Sequence, residues 1–558
     1  MQRRIFREFN DEKWEEVRNH PHYAKVRENT IALADEKIND VPRAITFTDI
    51  HEYVVSGDRK RFESLYNSYT SRISLYFLAY LITLDEKYIK PLADAIWCVC
   101  DMESWSIAAH VSENLSVERR RRNLDLTSTI LGFRISEVLY FIGDKLPDLV
   151  RRRAEHEVRE RVINSYAMYR NNEFWWYTST NNWSSVCIGA TLCCYLYLAS
   201  DEEIERELPR MLETIEYYLK GFDDDGCCLE GAGYWHYGFS HFCLFASMLR
   251  DYTDGKINLF DNPKVRKIAE FPLRIALNEK QAVNFSDANL GYKLCAWMMP
   301  FLKSVYPDIK LPKLEPPTFA GAPLRYILWQ DPNIEVSEFS PKSTAFEDAQ
   351  WFIHIGENYS LAAKAGHNAE PHNHNDVGSF IVSKNGKVTF CDSGIGEYTR
   401  QYFSAERYMY FVTCSRGHSV PIINGKYQCT GNKKSTVYRM EDGAFEFSMQ
   451  NGYAEETLTS LKRSFECLPD KAVMTDAYEF TKVPESLTER FISQTPITLG
   501  DGEMISGDSV ITFDAALFDA SLGVEQVSRS GGKLDPVYYA DLTVKAPDRE
   551  MTFKFEIK

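Results

Sequence analysis

Residues 366–376 read Gly-His-Asn-Ala-Glu-Pro-His-Asn-His-Asn-Asp. Three of the chain's twelve histidines (His367, His372 and His374) lie here beside Glu370 and Asp376. Each imidazole or carboxylate taken into a core needs a hydrogen-bond partner or a metal, so this density points to a site rather than to packing. Asp392, in Phe-Cys-Asp-Ser-Gly, and His418, in Ser-Arg-Gly-His-Ser-Val-Pro, extend the cluster. His374, Asp392 and His418 suit zinc, with a fourth position open or taken by water; three unrelated polar turn residues would show the same spacing. If 372–374 is a strand, His372 and His374 point to one face, and one can bind metal while the other faces a substrate.

Two other segments mix aromatic and polar groups. In Phe174-Trp175-Trp176-Tyr177-Thr178-Ser179-Thr180-Asn181-Asn182-Trp183, aromatics flank a polar stretch before a helix. Asn181 or Asn182 can cap that helix, yet exposed aromatic faces and side-chain amides are also what a carbohydrate cleft uses. Glu230-Gly231-Ala232-Gly233-Tyr234-Trp235-His236-Tyr237 opens another helix after an acidic loop. A core aromatic cluster is the plain reading, but Glu230, Tyr234, His236 and Tyr237 carry more polar groups than a core segment needs.

The elements that must position these groups change character along the chain. From about 10 to 305, apolar residues recur at three- and four-residue spacing, as in 61–82, 88–103, 126–142, 147–169, 183–199, 202–220, 235–250, 263–279 and 291–304. Short turns between them predict antiparallel helices in an array, closed or open. Five prolines from Pro307 to Pro323 mark a linker. Beyond it, alternation predicts strands at Trp351–Ile355, 360–364, 378–383, 388–391, 435–440, 445–449, Ala472–Phe480 and 552–557, hence an antiparallel β-sandwich or barrel. The expected division is a helical domain over 1–310, a linker over 311–324 and a β domain over 325–558.

Composition narrows the partners. A net charge of −16 argues against nucleic-acid binding, while an anionic substrate needs only a local basic patch. Arg119-Arg120-Arg121-Arg122 reads first as a solvated helix face. No apolar run reaches the roughly 18 residues a membrane helix needs, so no membrane partner is expected. The charged N-terminus lacks a signal-like apolar core, and thirteen cysteines without zinc-ribbon spacing read as reduced thiols. A cytoplasmic location follows as an expectation, unless a leader has been removed; self-association into a homo-oligomer stays open.

In this order and on this domain plan, the segments resemble the heparinase II/III-like polysaccharide lyases. The resemblance rests on 366–380 with Asp392-Ser393-Gly394, on Arg407 through His418, and on the Asn-Asn-Trp and Glu-Gly-x-x-Tyr-Trp segments. It implies an N-terminal (α/α) helical toroid followed by a C-terminal antiparallel β-sandwich. It also implies a mainly structural zinc on His374, Asp392 and His418, holding the loop that bears a catalytic histidine. Matched residue by residue, the active-site tyrosine is Tyr234, with Tyr237 the neighbouring alternative; the histidine is His372; the asparagine is Asn182, with Asn181 beside it. Many members carry histidine directly after that asparagine, where this chain has Trp183. The base is therefore open: a tyrosine acting as both base and acid, or His236, His367 or His372 assisting.

The chemistry implied is β-elimination at a uronic acid in an anionic polysaccharide or oligosaccharide. A base removes the C5 proton, the bond from O4 breaks, and a 4,5-unsaturated uronate forms. Charge builds on an already negative carboxylate, so fixed donors such as Asn182 and His372 must offset it. A tyrosine hydroxyl can protonate the leaving oxygen; to act as base its pKa, near ~10 when free, would need lowering by an imidazolium or Arg416. Trp176, Trp183, Asn181, Glu230, His236, Tyr237, His367 and Arg416 are expected to contact substrate, with a hinge at 310–321. Two readings compete: a glycoside hydrolase recruiting carboxylates from 223–225 and Glu230, and a non-catalytic polysaccharide-binding protein.

Overall fold

A computed structural model of the protein describes residues 5–170, 173–289, 297–334 and 339–558. The chain forms two compact units. One comprises Met1–Gly221, His236–Arg266 and Cys295–Ser337; the other comprises Phe222–Trp235, Lys267–Leu294 and Glu338–Lys558. The first is helical and the second is built on antiparallel sheets, in the order expected from the change of hydrophobic period.

Within the helical unit, helix Asn182–Leu198 packs against Leu126–Ile142 and Asp201–Lys220, while Lys60–Thr83 packs against Ile89–Cys100. Asn182–Leu198 is buried on nearly all sides, as a central helix must be when apolar residues surround its whole circumference. Gly189 permits one close approach, since a Cβ there would lie 2.7 Å from the backbone oxygen of His241. Helix starts follow local chemistry: Asp125 with Ser128, and Ser200 with Glu203, form reciprocal caps. The expected helix over 291–304 appears as Met299–Val305, part of the expected span lying outside the described residues.

Two readings of this half change. Leu126–Lys145 is, by length and composition, apolar enough to cross a membrane, contrary to the expectation that no run is. Its apolar residues are spent on protein packing: Leu131, Ile135 and Val138 are buried, and Glu137 pairs with Arg325 within the helical unit. It is therefore a core helix here. The arginine run is not a solvated face either. Arg120 pairs with Glu103, Arg121 with Glu157 and Arg122 with Glu160, and Arg119 lies over the rings of Tyr169 and Phe174. These guanidiniums are engaged in fastening the unit together.

The β unit holds a five-stranded sheet that runs in sequence order from Thr344–Phe346 to Lys387–Val388. An eight-stranded sheet has Leu458–Cys467 and Ala472–Phe480 in its middle. A four-stranded sheet contains Phe518–Ser528, Leu534–Val544, Leu487–Ser493 and Ile422–Ile423. Pairing between neighbours is antiparallel. Ala472–Phe480 alternates buried and partly exposed residues, the signature of a sheet with one face on a core. That core joins all three sheets, through Leu361 and Phe380, Phe465 and Met474, and Phe491 and Leu542. The fold is thus helices followed by an antiparallel β-sandwich.

Residues 365–379 link strands Tyr359–Lys364 and Phe380–Lys384. Buried Arg463, from the eight-stranded sheet, holds this segment in place. It pairs bidentately with Asp476 at 2.7 and 2.5 Å and donates to the backbone oxygens of Gly378 and Ser419 at 2.8 and 2.7 Å. Gly378 follows Asp376 closely and Ser419 adjoins His418, so one guanidinium braces both halves of the histidine cluster. Arg463→Met leaves Asp476 buried and unpaired; chemical denaturation should show a loss of about 3–5 kcal/mol, whereas an unchanged midpoint would show that Arg463 braces nothing.

Candidate active site and metal centre

Asp287 lies in a tight turn, following Ser286, whose φ is +64°. Its carboxylate is fully buried and has five side-chain partners. His372 Nδ1 stands 2.8 Å from Oδ2 and His374 Nε2 3.0 Å from Oδ1. Tyr402 donates to Oδ1 at 2.8 Å, Tyr398 to Oδ2 at 3.2 Å, and Arg407 to Oδ2 at 3.0 Å. Burial pushes the Asp287 pKa up, but the hydrogen bonds from His372 and His374 and the charge of Arg407 outweigh it and hold the carboxyl well below its ordinary range. Asp287 is an ionised hub.

Tyr234 stands in the first turn of helix Ala232–Tyr252, within the stretch Phe222–Trp235 that is part of the β unit, not of the helical half where it was expected. Gly231 sets up this turn: its φ is +97°, and a Cβ there would lie 2.8 Å from the Phe285 oxygen. The Tyr234 ring stacks on His372 with centroids 3.9 Å apart, and its hydroxyl is 2.6 Å from that of Tyr398. Since Tyr398 donates to Asp287, Tyr234 donates to Tyr398. Burial and the charge of Asp287 raise the Tyr234 pKa far above that of a free phenol, with Arg407 only partly opposing them. The expectation that a cation lowers it is corrected, and Tyr234 rests as a neutral phenol.

His372 is not on a strand. It occupies a loop at φ +55°, a conformation that costs a non-glycine residue free energy. This lets it and His374 address opposite oxygens of one carboxylate rather than share a strand face. With Nδ1–H committed to Asp287, its Nε2 faces Glu230 Oε2 at 3.6 Å.

The second cluster contains His374, Asp376, Asp392 and His418, all buried, with one potential ligand atom from each lying within 4.8 Å of the others. Every member spends one atom on the protein. His374 Nε2 faces Asp287, His418 Nε2 donates to Val412 O at 2.9 Å, Asp392 Oδ1 accepts from Gly394 N at 2.8 Å and Asp376 Oδ1 from Lys364 at 2.8 Å. The opposite atoms (His374 Nδ1, His418 Nδ1, Asp392 Oδ2 and Asp376 Oδ2) are buried and turn toward one another, His418 Nδ1 lying 3.0 Å from Asp392 Oδ2. A proton on His418 can pair it with Asp392, whose charge outweighs burial and raises the His418 pKa; a metal ion would engage all four donors at once. Zinc bonds of about 2.0–2.2 Å suit this donor set, and Asp376 is a fourth candidate ligand that spacing did not identify.

Other expected residues lie elsewhere. Asn181 caps its helix by accepting from Trp183 N at 3.0 Å. Asn182, in the helical unit, is buried with Oδ1 unpartnered. Trp176 is a core residue, 1% exposed, donating to Leu124 O, so it offers no face to a sugar; Trp175, 56% exposed, does, and packs on Trp183. Trp183 also meets His110, which is oriented by Asp125 at 2.7 Å. His236 and Tyr237 line a cavity in the helical unit and are not part of the Asp287 cluster. His367 closes a local turn, its Nδ1 accepting from Ala369 N. Arg416 is bound to Met409 O at the surface, and Arg407 supplies the positive charge expected of it. Asp287, Tyr398 and Tyr402 stand in no local motif that marks them before folding brings them together, and Arg407, which opens one of the segments carrying the resemblance, gains its role only through Asp287.

Asp287→Asn should destabilise the β unit by about 3–5 kcal/mol, because Arg407 loses its buried counter-charge; Arg416→Ala should stay within about 0.5 kcal/mol. Equal effects in chemical denaturation would contradict the hub.

Residues 340–478 match the family model described as Heparinase II/III-like, C-terminal. No curated protein sequence matches the chain. Among solved structures, a heparinase III aligns over 98% of this chain and 93% of its own, with TM-score 0.67 and 13% identity. A heparan sulfate lyase HepC mutant from Pedobacter heparinus aligns over 98% and 90%, with TM-score 0.60 and 13% identity. The Streptomyces coelicolor A3 chondroitin AC lyase, in complex with chondroitin sulphate, aligns over 98% and 81%, with TM-score 0.59 and 10% identity. Over 340–478 the chain is thus similar in sequence to the heparinase II/III-like C-terminal family, and over nearly its whole length it shares the fold of these solved lyases.

Proposed function

We propose that the protein is a polysaccharide lyase that cleaves uronate-containing chains by β-elimination. The observation that carries this is the stack of Tyr234 on His372 over the ionised Asp287. It provides a neutral phenol that can give a proton beside an imidazole whose other nitrogen can take one. In this reading His372, oriented through Nδ1 by Asp287, accepts the C5 proton through Nε2, and Tyr234 protonates the departing O4. The chain Tyr234–Tyr398–Asp287 then steadies the phenol.

The hydrolase reading finds less support. It needs two carboxylates free to act; of those it would recruit, Asp225 is spent on the backbone N–H groups of Cys227, Asp348 and Ala349, and Glu230 faces His372 at 3.6 Å. A binding protein has no need of a strained histidine stacked on a buried phenol. Tyr234→Phe should reduce the rate of ultraviolet absorbance from unsaturated product by about 100-fold or more, with the fold intact by circular dichroism. Retained turnover would remove Tyr234 from the reaction.

We also propose that His374, Asp376, Asp392 and His418 hold zinc, whose role is to fix the loop carrying His372. When bound, the metal supplies a positive centre that engages all four donors at once. Elemental analysis of protein purified without chelator should find about one zinc per chain, lost in His418→Ala together with a lower melting temperature. A metal-free protein whose melting is unaffected by chelator would refute the site.

A further inference from the structure

Among the described residues, six strands stand at the ends of the three sheets, and five of them are poor templates for further pairing. Thr344–Phe346, Lys387–Val388, Ile497–Gly500 and Ile422–Ile423 have two to four residues each, and Val437–Glu441 is interrupted by a register shift. Short or bulged edges keep a sheet from pairing with other chains. Phe518–Ser528 is different. It has 11 residues, pairs with Leu534–Val544 without a register shift, and contains no lysine, arginine or proline. Leu522 and Val524, in its middle, are 48% and 51% exposed.

The ladder assigns which backbone groups face outward. Arg529 N donates to Lys533 O at 2.8 Å and Lys545 N to Leu517 O at 2.9 Å, so residues 517 and 529 mark hydrogen-bonded pairs at the two ends. Antiparallel pairs alternate, and the register between those ends is unbroken. Residues 519, 521, 523, 525 and 527 therefore bond inward to Leu534–Val544. Ala520, Leu522, Val524 and Gln526 turn their N–H and C=O groups outward, with no protein partner among the described residues. Their side chains share one face. On that face Leu522 lies opposite buried Ala540, and Val524 lies opposite Tyr538, which packs on the core of the β unit. The apolar surface of the sheet thus runs past its last strand and stops uncovered.

We infer that this edge is a dimer interface, in which a second copy of the chain pairs antiparallel with Phe518–Ser528 about a two-fold axis at Gly523. The strand complements itself in that register. Leu522 meets the partner's Val524, Ala520 meets the partner's Gln526, and Ser521 meets the partner's Glu525. Outward-facing residues oppose outward-facing residues, so the ladder closes on both sides of the axis. An axis at Leu522 would instead set Asp519 against the partner's Glu525, two like charges face to face. An axis at Val524 would part the two apolar side chains and set Leu522 against the partner's Gln526. Pairing consumes the long edge of each copy, so the assembly stops at two. The inference concerns the β unit alone and takes nothing from the lyase reading.

Sedimentation velocity of the full chain over a concentration series tests this. The protein should sediment at twice the mass of one chain. Val524→Pro removes an outward N–H and spares the inward ladder, and Leu522→Lys puts a charge on the pairing edge. Each should raise the dimer dissociation constant by roughly tenfold or more, whereas Val483→Lys, at an exposed apolar position off this strand, should leave it unchanged. Crosslinking reads the register without those variants. Non-hydrogen-bonded partners have Cα atoms about 4.5 Å apart, within reach of a disulfide. Oxidised Ser521→Cys/Glu525→Cys protein should therefore run as a covalent dimer without reductant, and Asp519→Cys/Glu525→Cys protein should not. A chain that sediments as a monomer throughout, a dimer that survives both edge variants, or a dimer that the first cysteine pair leaves uncrosslinked would each overturn the interface.

Discussion

One buried carboxylate organises the β unit's functional end. Asp287 takes two histidines, two tyrosines and an arginine on its two oxygens. A carboxylate withdrawn from water is expensive unless every lone pair is met, so the partners are constrained as tightly as the acid. Remove the charge and Arg407 is stranded, the His372 loop loses the contact that holds its left-handed backbone, and the Tyr234–Tyr398 hydrogen-bond chain loses its terminus. The Tyr234–His372 stack and the buried His374–Asp376–Asp392–His418 cluster therefore share one anchor, His372 on one oxygen and His374 on the other.

This sharing explains the division of labour in the histidine-rich segment. His374 uses Nε2 for Asp287 and turns Nδ1 toward Asp376, Asp392 and His418. His372 uses Nδ1 for Asp287 and turns Nε2 toward Glu230, 3.6 Å away. Opposite nitrogens are committed, which is what the proposed function asks of the pair: one imidazole to ligate a metal and its neighbour to accept a proton. Lys364 extends the same logic by neutralising Glu370 and Asp376 inside the core. Those charges push its own pKa up against the effect of burial.

Much of the fold is legible in the sequence because period reports burial. Trp351–Ile355 and Ala472–Phe480 have the bounds that alternation predicts, and Leu126–Ile142 those its helical spacing predicts. The site is legible only where its residues are neighbours in the chain. His372, His374, Asp392, His418 and Tyr234 stand in dense local motifs. Asp287 sits in Asn-Phe-Ser-Asp-Ala-Asn, which has no distinguishing pattern, and its partners lie 85 to 120 positions away. Trp176 misled because an indole reads alike whether it lines a cleft or fills a core; only its 1% exposure decides. Arg416 stood in for Arg407 because proximity in sequence to His418 says little about reach toward Tyr234.

The most direct test of this account is mass spectrometry of the products formed from uronate oligosaccharides in water enriched in heavy oxygen. Elimination through His372 and Tyr234 adds no water across the cleaved bond. The non-reducing product should therefore carry an unsaturated uronate and no heavy oxygen at the cleavage point. Products that are saturated and contain one heavy oxygen per bond broken would mean hydrolysis and would contradict the account.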